Sequence, residues 1–513
     1  MLRAARLLEF SLLATIVAHG LGLLSIVCLL MPGLPGGPLS DAERISFIAG
    51  HPLIWRLGWL PWQVTAVSDL LLGLSLLRTS WIPKLPALTA LLATIVAVSI
   101  EQPGEYRWIT EGVELCQKAV AGGSSSAYLE FEKVVMVQIS AWAALAYTLA
   151  AVAWTFAFGK AKTWSRALTW LSVVTWSTMF AAALAPISPV IIKPSAFVVA
   201  QLNALGFALM MIWFVLVFEV VLRRSRPEAP FGGMSGWRYP GGGIVGAALN
   251  MVANSRALRY VGEMMPFTPL VSDIENVVYI NYLVEASQLE RLLPYGLELQ
   301  RLGPDGRYAL FTMLTFRHGR FGPKVFGPLR GLCFSPIQSN WRIHVRHGSS
   351  LGVYFVSTVI SHTAMALVAR ILSGGVPMHV PERAVLEASK DNVHLTLAPG
   401  SGSGPDLEAS LCASTVATLP PPWSDCFTGF EDFLAYCVPQ DRAVFSQPWY
   451  GRLIRQEISL GIPLTHCKPL NGKVQSRFAD SITGGAMEPL VFQVASVAFK
   501  FNSIVIERLL DEK

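Results

Sequence analysis

Charge is scarce in this chain. Only 14% of its 513 residues are Asp, Glu, Lys or Arg, against 52% hydrophobic residues, and the mean hydropathy is +0.47. A soluble domain carries roughly a quarter charged residues, so this composition excludes an ordinary soluble protein and indicates membrane segments. The formal net charge of +6 is small, and the basic residues gather at the ends of apolar runs. That suits a bilayer surface and not a nucleic acid. The seven cysteines (28, 116, 333, 412, 426, 437 and 467) form no CxxC pair. This excludes a cysteine zinc knuckle and a disulfide framework, and scattered thiols fit a reducing compartment. There is no HExxH, and "GMSGW" at 233–237 does not make a GxSxG nucleophile elbow. "GSGSGP" at 400–405 lacks the strand and helix that make a phosphate cradle, so it reads as a turn. No metal or cofactor is expected.

Long apolar runs are what the N-terminal half has in abundance. Six of them, near 8–31, 58–78, 85–101, 134–158, 166–186 and 196–221, reach the roughly 20 residues a bilayer span requires. Trp55, Trp59, Trp62 and Trp81 flank the second and suggest an interfacial belt. Arg3, Arg6, Arg78, Lys84, Lys160, Lys162, Arg166, Arg223, Arg224 and Arg226 fall on one side of these spans. The other side has Arg44, Arg56, Arg107, Lys118, Lys133 and Lys193. The positive-inside rule then places both termini in the cytoplasm of a multi-pass protein of the inner, cytoplasmic membrane. Asp69 and His19 lie inside spans. Such groups either line a ligand or proton path or sit protonated as packing contacts. The acidic stretch between spans three and four, from Glu101 to Glu132, reads as a solvated loop.

Residues 1–222 are therefore expected to form an all-α transmembrane bundle of about six helices. Residues 223–271 are rich in Gly, Pro and Arg at their start and read as a linker, followed by a weakly amphipathic helix that either lies on the membrane surface, with Arg256 and Arg259 facing lipid headgroups, or packs against the soluble domain. From 272 to 513 the pattern turns to short alternation. Segments 275–284, 307–316, 340–346 and 352–361 read as strands, with more at "RAVLEA", "NVHLTLA", "IRQEISL" and "LVFQVASVAFKF". Helices are expected at 286–296, 362–372 and 429–438. Many strands with few helices indicate an α+β domain on a large antiparallel sheet or open barrel.

The order of motifs in this half resembles a bacterial acetoacetate-decarboxylase-like family. A strand is followed by "LERLLPYGLEL", carrying Leu289, Leu292, Leu293, Pro294, Gly296, Leu297, Glu298 and Leu299. Asn340 and Arg342 match an Asn-x-Arg strand. "FLAYCVPQDRAVFS" resembles a Phe-Leu helix followed by a strand, and "GIPL" at 461–464 a Pro-Leu turn. The resemblance covers roughly 270–513 and implies the decarboxylase fold. True acetoacetate decarboxylases carry Gly-x-Pro-Lys-Lys, where one lysine forms a Schiff base and its neighbour lowers its pKa. Here Gly375-Val376-Pro377 is followed by Met378 and His379, and neither can form a Schiff base. Of the remaining lysines, only Lys500 lies in an apolar strand pattern.

Arg342 and His344 alternate on one strand and so share a face. Arg342 can pair bidentately with a carboxylate, or be tied internally to Glu382 or Glu457. His379 is a candidate acid or base near neutral pH. The candidate ligand-binding set is Arg342, His344, Asn340 and Glu382. Three functions follow: a small apolar or anionic molecule bound in the soluble domain; an enzyme acting on a ketone-like or lipid-derived substrate with His379 and Arg342 in its site; and transport along Asp69 and His19.

Overall fold

The computed structural model describes residues 2–187, 196–225, 236–262, 264–265, 269–372, 376–389, 391–414, 419–440, 442–447, 452–460, 462–485 and 487–508. Ser373, Gly374, Gly375, Lys390 and Gly461 lie outside them, as does the side chain of Lys500. The chain divides into two units, Met1–Ser225 and Arg226–Lys513.

The first unit holds six helices long and apolar enough to cross a membrane, Arg6–Leu30, Pro52–Arg78, Lys84–Val120, Ser125–Phe158, Arg166–Leu184 and Phe197–Arg224. Small residues let neighbours approach: a Cβ added to Gly73 would lie 2.9 Å from Leu91, and one added to Gly58 would lie 2.5 Å from Leu30. Two expectations fail here. Trp55, Trp59 and Trp62 do not ring the second helix but are buried, and Trp55, Trp59 and Trp108 pack ring to ring. The acidic stretch is not a solvated loop either. The third helix continues through it in a π-helical turn at Trp108–Gly112, and Glu101, Glu105 and Glu132 are buried. Polar partners inside the unit explain this. Glu132 takes a bidentate pair from buried Arg44 at 2.9 and 2.8 Å, and Glu101 accepts from Tyr147 Oη at 2.5 Å.

Among the described residues the second unit carries thirteen strands. They are β1 Leu270–Glu285, β2 Glu298–Leu299, β3 Tyr308–Pro323, β4 Ile337–His347, β5 Ser350–Ile360, β6 Met378–His379 and β7 Arg383–Ala388, then β8 Asn392–Ala398, β9 Leu407–Ala413, β10 Arg442–Gln447, β11 Arg452–Leu460, β12 Lys468–Gln475 and β13 Leu490–Arg508. The sheet runs β1-β3-β4-β5-β10-β11-β13, and β13 pairs again with β1, from Leu270 opposite Phe501 to Asn281 opposite Leu490. That second pairing closes a barrel. All neighbours on this circuit are antiparallel except β5 and β10, which are parallel. Closure is possible because β1 and β13 are long, 16 and 19 residues, so each can twist past two partners. Beyond β13 the sheet continues as a wing, β12-β9-β8-β7.

Period-two alternation sorts the barrel strands into two apolar sets. One set, with Leu283, Leu314, Phe355, Phe445, Ile454 and Phe492, faces the interior and packs on Phe433 and Cys437 of the helix Phe430–Cys437. The other, with Ile280, Phe311, Trp341, Ile343 and Tyr354, faces outward against wing residues Leu395, Leu397 and Leu411. The segment expected as a linker contributes to this unit: Trp237 and Ala253 belong to the first set. Its Arg259 is buried and donates to the Ala253 carbonyl at 2.7 Å, as in the alternative of packing within this unit. The helix expected over 286–296 is one turn, Ala286–Glu290, before the Pro294 turn.

Candidate functional site: a buried arginine inside the barrel

Strand β4 reads Gln338-Ser339-Asn340-Trp341-Arg342-Ile343-His344. Trp341 and Ile343 belong to the outward apolar set, so Gln338, Asn340, Arg342 and His344 point into the barrel. All four are buried. Just at Arg342 the β4–β5 register shifts: Trp341 faces Ser357 while Arg342 faces Phe355. The extra residue, Val356, makes a bulge that bends β5 and re-aims its neighbours.

Each of these polar groups meets partners from adjacent strands. Asn340 Oδ1 accepts from Gln338 Nε2 at 2.8 Å, and Gln338 Oε1 meets His318 Nε2 at 2.8 Å. His318 Nδ1 lies 2.8 Å from Ser272 Oγ. At the other end His344 Nε2 lies 3.3 Å from Thr312 Oγ1. Thr312 Oγ1 donates to Asn281 Oδ1 at 2.9 Å, and Cys437 Sγ donates to the same oxygen at 3.2 Å. The His344 ring stacks on Tyr436, with centroids 5.4 Å apart.

Arg342 stands between these two networks and joins neither. Its guanidinium carbon lies 5.6 Å from the centre of the Tyr279 ring, and its Nε and Nη2 find no hydrogen-bond partner in the protein. Among the described residues it makes no ion pair. Glu382 and Glu457, the carboxylates considered for it, are both exposed. Thr358, in register with Asn340, also leaves Oγ1 unpartnered, as does His344 its Nδ1. The electrostatics follow. Burial first, and then the Arg342 charge, hold His344 well below its ordinary 6.5. Burial pushes the Cys437 thiol up to about 12 against the opposing pull of Arg342, and Tyr279 likewise to about 12. His344 is therefore a neutral hydrogen-bonding group at neutral pH, and Cys437 is a thiol, not a thiolate.

Residues 272–412 match the family DUF2071, described as an uncharacterized conserved protein. The N-terminal unit matches no family, and no curated protein matches the chain. The C-terminal region is similar to acetoacetate-decarboxylase-like structures. Acetoacetate decarboxylase from Legionella pneumophila is 11% identical with a TM-score of 0.35, covering 48% of this chain and 90% of that one. An acetoacetate decarboxylase-like enzyme from Sphingomonas wittichii is 11% identical with a TM-score of 0.34, covering 48% and 95%. The enduracididine biosynthesis enzyme MppR, complexed with pyruvate, is 14% identical with a TM-score of 0.33, covering 47% and 91%.

The DUF2071 match contains every site residue read from the soluble half of the sequence, yet the fold separates them. Asn340, Arg342 and His344 come together inside the barrel. His379 does not join them. It sits on β6, in register with Val359, while its neighbour Met378, in register with Thr358, is part of the interior set. One residue along a strand reverses the face, so His379 points away from Arg342, and its Nδ1 lies 2.9 Å from Ser403 Oγ in the "GSGSGP" turn. Glu382 borders a separate surface cleft of about 410 Å³ with Arg317, Pro381 and Glu387. Tyr279, Asn281, Thr312, His318, Thr358, Tyr436 and Cys437 were not legible as site residues. The polar strand "QSNWRIH" carried the only local signal. Among the described residues, no three His, Cys, Asp or Glu side chains converge as a metal site. In the first unit, His19 Nε2 lies 3.8 Å from Asp69 Oδ2, and His19 Nδ1 donates to the Thr15 carbonyl at 3.0 Å.

Proposed function

We propose that this chain is a multi-pass protein of the cytoplasmic membrane, with both termini in the cytoplasm. Its barrel binds a small molecule with a carboxylate and an apolar body. The observation that carries this reading is the buried Arg342 without a counter-charge. A lone guanidinium in a low-dielectric interior costs several kcal/mol, and an anion that pairs with its two free N–H groups offsets that cost. Asn340, His344 and Thr358 flank it as hydrogen-bonding groups, and the apolar interior set receives the rest of the molecule. His379 has no part in this reading, because it faces the other way. The test is purification of the full chain from its native membrane, release of bound small molecules and mass spectrometry. An organic acid retained by the wild type and lost from Arg342→Met supports the reading. Equal retention by both proteins refutes it.

A second reading rests on the His19–Asp69 contact. Buried ionisable partners on two membrane helices suit a proton or substrate path. Proteoliposomes with Asp69→Asn would then lose a pH-driven flux that the wild type shows. A flux equal in both would remove Asp69 from any path.

A further inference from the structure

The turn between β3 and β4, Lys324–Leu332, is two short 3-10 segments joined at Gly327, whose φ of 48° lets the chain reverse. Its apolar side chains face outward. Val325 is 78% exposed, Leu329 65%, Leu332 85%, and Phe334 just after it 60%. A turn of this size ordinarily hides such residues or replaces them with polar ones. Lys324 and Arg330 punctuate it, and among the described residues neither pairs with a carboxylate. Arg330 instead braces the base of the turn through the carbonyls of Arg320 and Val271.

The turn does not stand alone. Phe334 packs against His362 with the rings tilted at 34° and centroids 4.1 Å apart. His362 leads into the helix Thr363–Leu372, which packs against the helices Gly243–Asn254 and Arg256–Gly262. The first of these, at 12 residues, is about 18 Å long, too short for a hydrocarbon core of about 30 Å. It nevertheless presents Ile244 at 90% exposure and Met251 at 63%. An apolar hairpin tip, basic residues beside it and a short apolar helix are the parts of a surface that lies in a bilayer interface.

We propose that this surface of the second unit seats in the headgroup boundary of an anionic membrane leaflet, with Val325, Leu329 and Leu332 among the acyl chains and exposed Lys324 among the phosphates. Two further facts favour lipid over a protein partner. Between Ser225, where the sixth apolar helix ends, and the next described residue, Gly236, lie ten residues, a reach of at most about 35 Å. A bilayer is thus always at high effective concentration, and a small apolar tip suffices to hold the unit there. The charge beside the apolar tip is positive, matching the anionic lipids of a cytoplasmic leaflet.

The experiment uses the full chain in nanodiscs of phosphatidylcholine and phosphatidylglycerol, with a benzophenone amino acid in place of Leu332 and, separately, of exposed Glu387 in the surface cleft. Lipid adducts at position 332 and none at 387 are expected. Lys324→Glu should cut the yield at 332 by about fivefold, the effect of losing one basic residue at an anionic surface. Adducts at 332 only to protein, no adduct there, equal lipid adducts at both positions, or a yield untouched by Lys324→Glu would each overturn the proposal. Ligand retention by Arg342 does not enter any of these outcomes, so this proposal and the barrel reading fail separately.

Discussion

Arg342→Met should make the ligand-free protein more stable, not less. Arginine at this position is buried, lacks a carboxylate and leaves Nε and Nη2 without partners. Its identified compensation is the Tyr279 ring, worth roughly 0.5–2 kcal/mol. Methionine keeps the unbranched length and removes the charge. Replacing buried ionic groups by apolar ones of similar volume stabilises by about 1–4 kcal/mol in favourable cases. Subtracting part of the lost ring contact leaves a gain of about 1–3 kcal/mol. Amide hydrogen exchange of the peptide 337–347, in ligand-stripped full chain under conditions where exchange reports the opening equilibrium, should then slow by about 5- to 150-fold. Adding the retained acid at about 100 times its Kd should protect the wild type by about 2.7 kcal/mol and leave the variant unchanged. If the ligand-free variant exchanges faster than the wild type, the guanidinium is balanced within the protein, and the anion site is wrong.

Stability of the barrel should fall with acid through His318. Burial holds its folded pKa down to about 4 from 6.5, against the opposing Gln338 hydrogen bond. Between those values the unfolded imidazole binds a proton that the folded one refuses. The contribution is therefore present above about pH 6.5 and is lost as pH falls towards 4, about 3 kcal/mol in all. His344 shifts in the same direction. Urea titrations from pH 7 to 4.5 should show a shallower slope in His318→Gln, and an identical slope would refute the assignment. Trp341→Ala removes a fully buried ring packed on Phe311 and Phe478 and should cost about 3–5 kcal/mol, read from the urea midpoint; a cost under about 1 kcal/mol would contradict the packing. Glu132→Ala leaves the buried Arg44 guanidinium only the exposed Asp41 carboxylate and the Gly33 carbonyl and should cost up to about 3–5 kcal/mol, much of it recovered in the double variant with Arg44→Met. Resistance of the first unit to proteolysis reads both, and equal losses in single and double variants would argue against a buried pair.

Periodicity made the barrel strands legible, because alternation over "NWRIHVR" or "VVYINYLV" has a period of two whatever packs on it. The closing pairing of β13 with β1 was not legible: it joins residues more than two hundred positions apart, and nothing local marks it. The same distance hides the polar networks. Thr312 and Asn281 are 31 residues apart and Cys437 and Asn281 are 156 apart, and each reads alone as a strand or helix residue. Charge misled in the membrane unit. Glu101 and Glu105 looked solvated because their partners, Tyr147 and Gln63, stand on other helices.

The turn at 376–379 shows how a single residue of parity decides chemistry. The Gly-x-Pro turn of the sequence is followed by Met378 and His379. Of these positions, 378 faces the barrel interior and 379 faces away. The inward position holds a thioether, which is neither a base nor a nucleophile, so the imidazole that could exchange protons points out of the barrel. A buried cation that the barrel strands do place in the interior is Arg342 on β4. A lysine amine loses its proton readily when buried and can then attack a ketone, whereas a guanidinium stays protonated and cannot. On the proposed reading, an interior that pairs a fixed cation with a neutral His344 and a protonated Cys437 is suited to holding an anion.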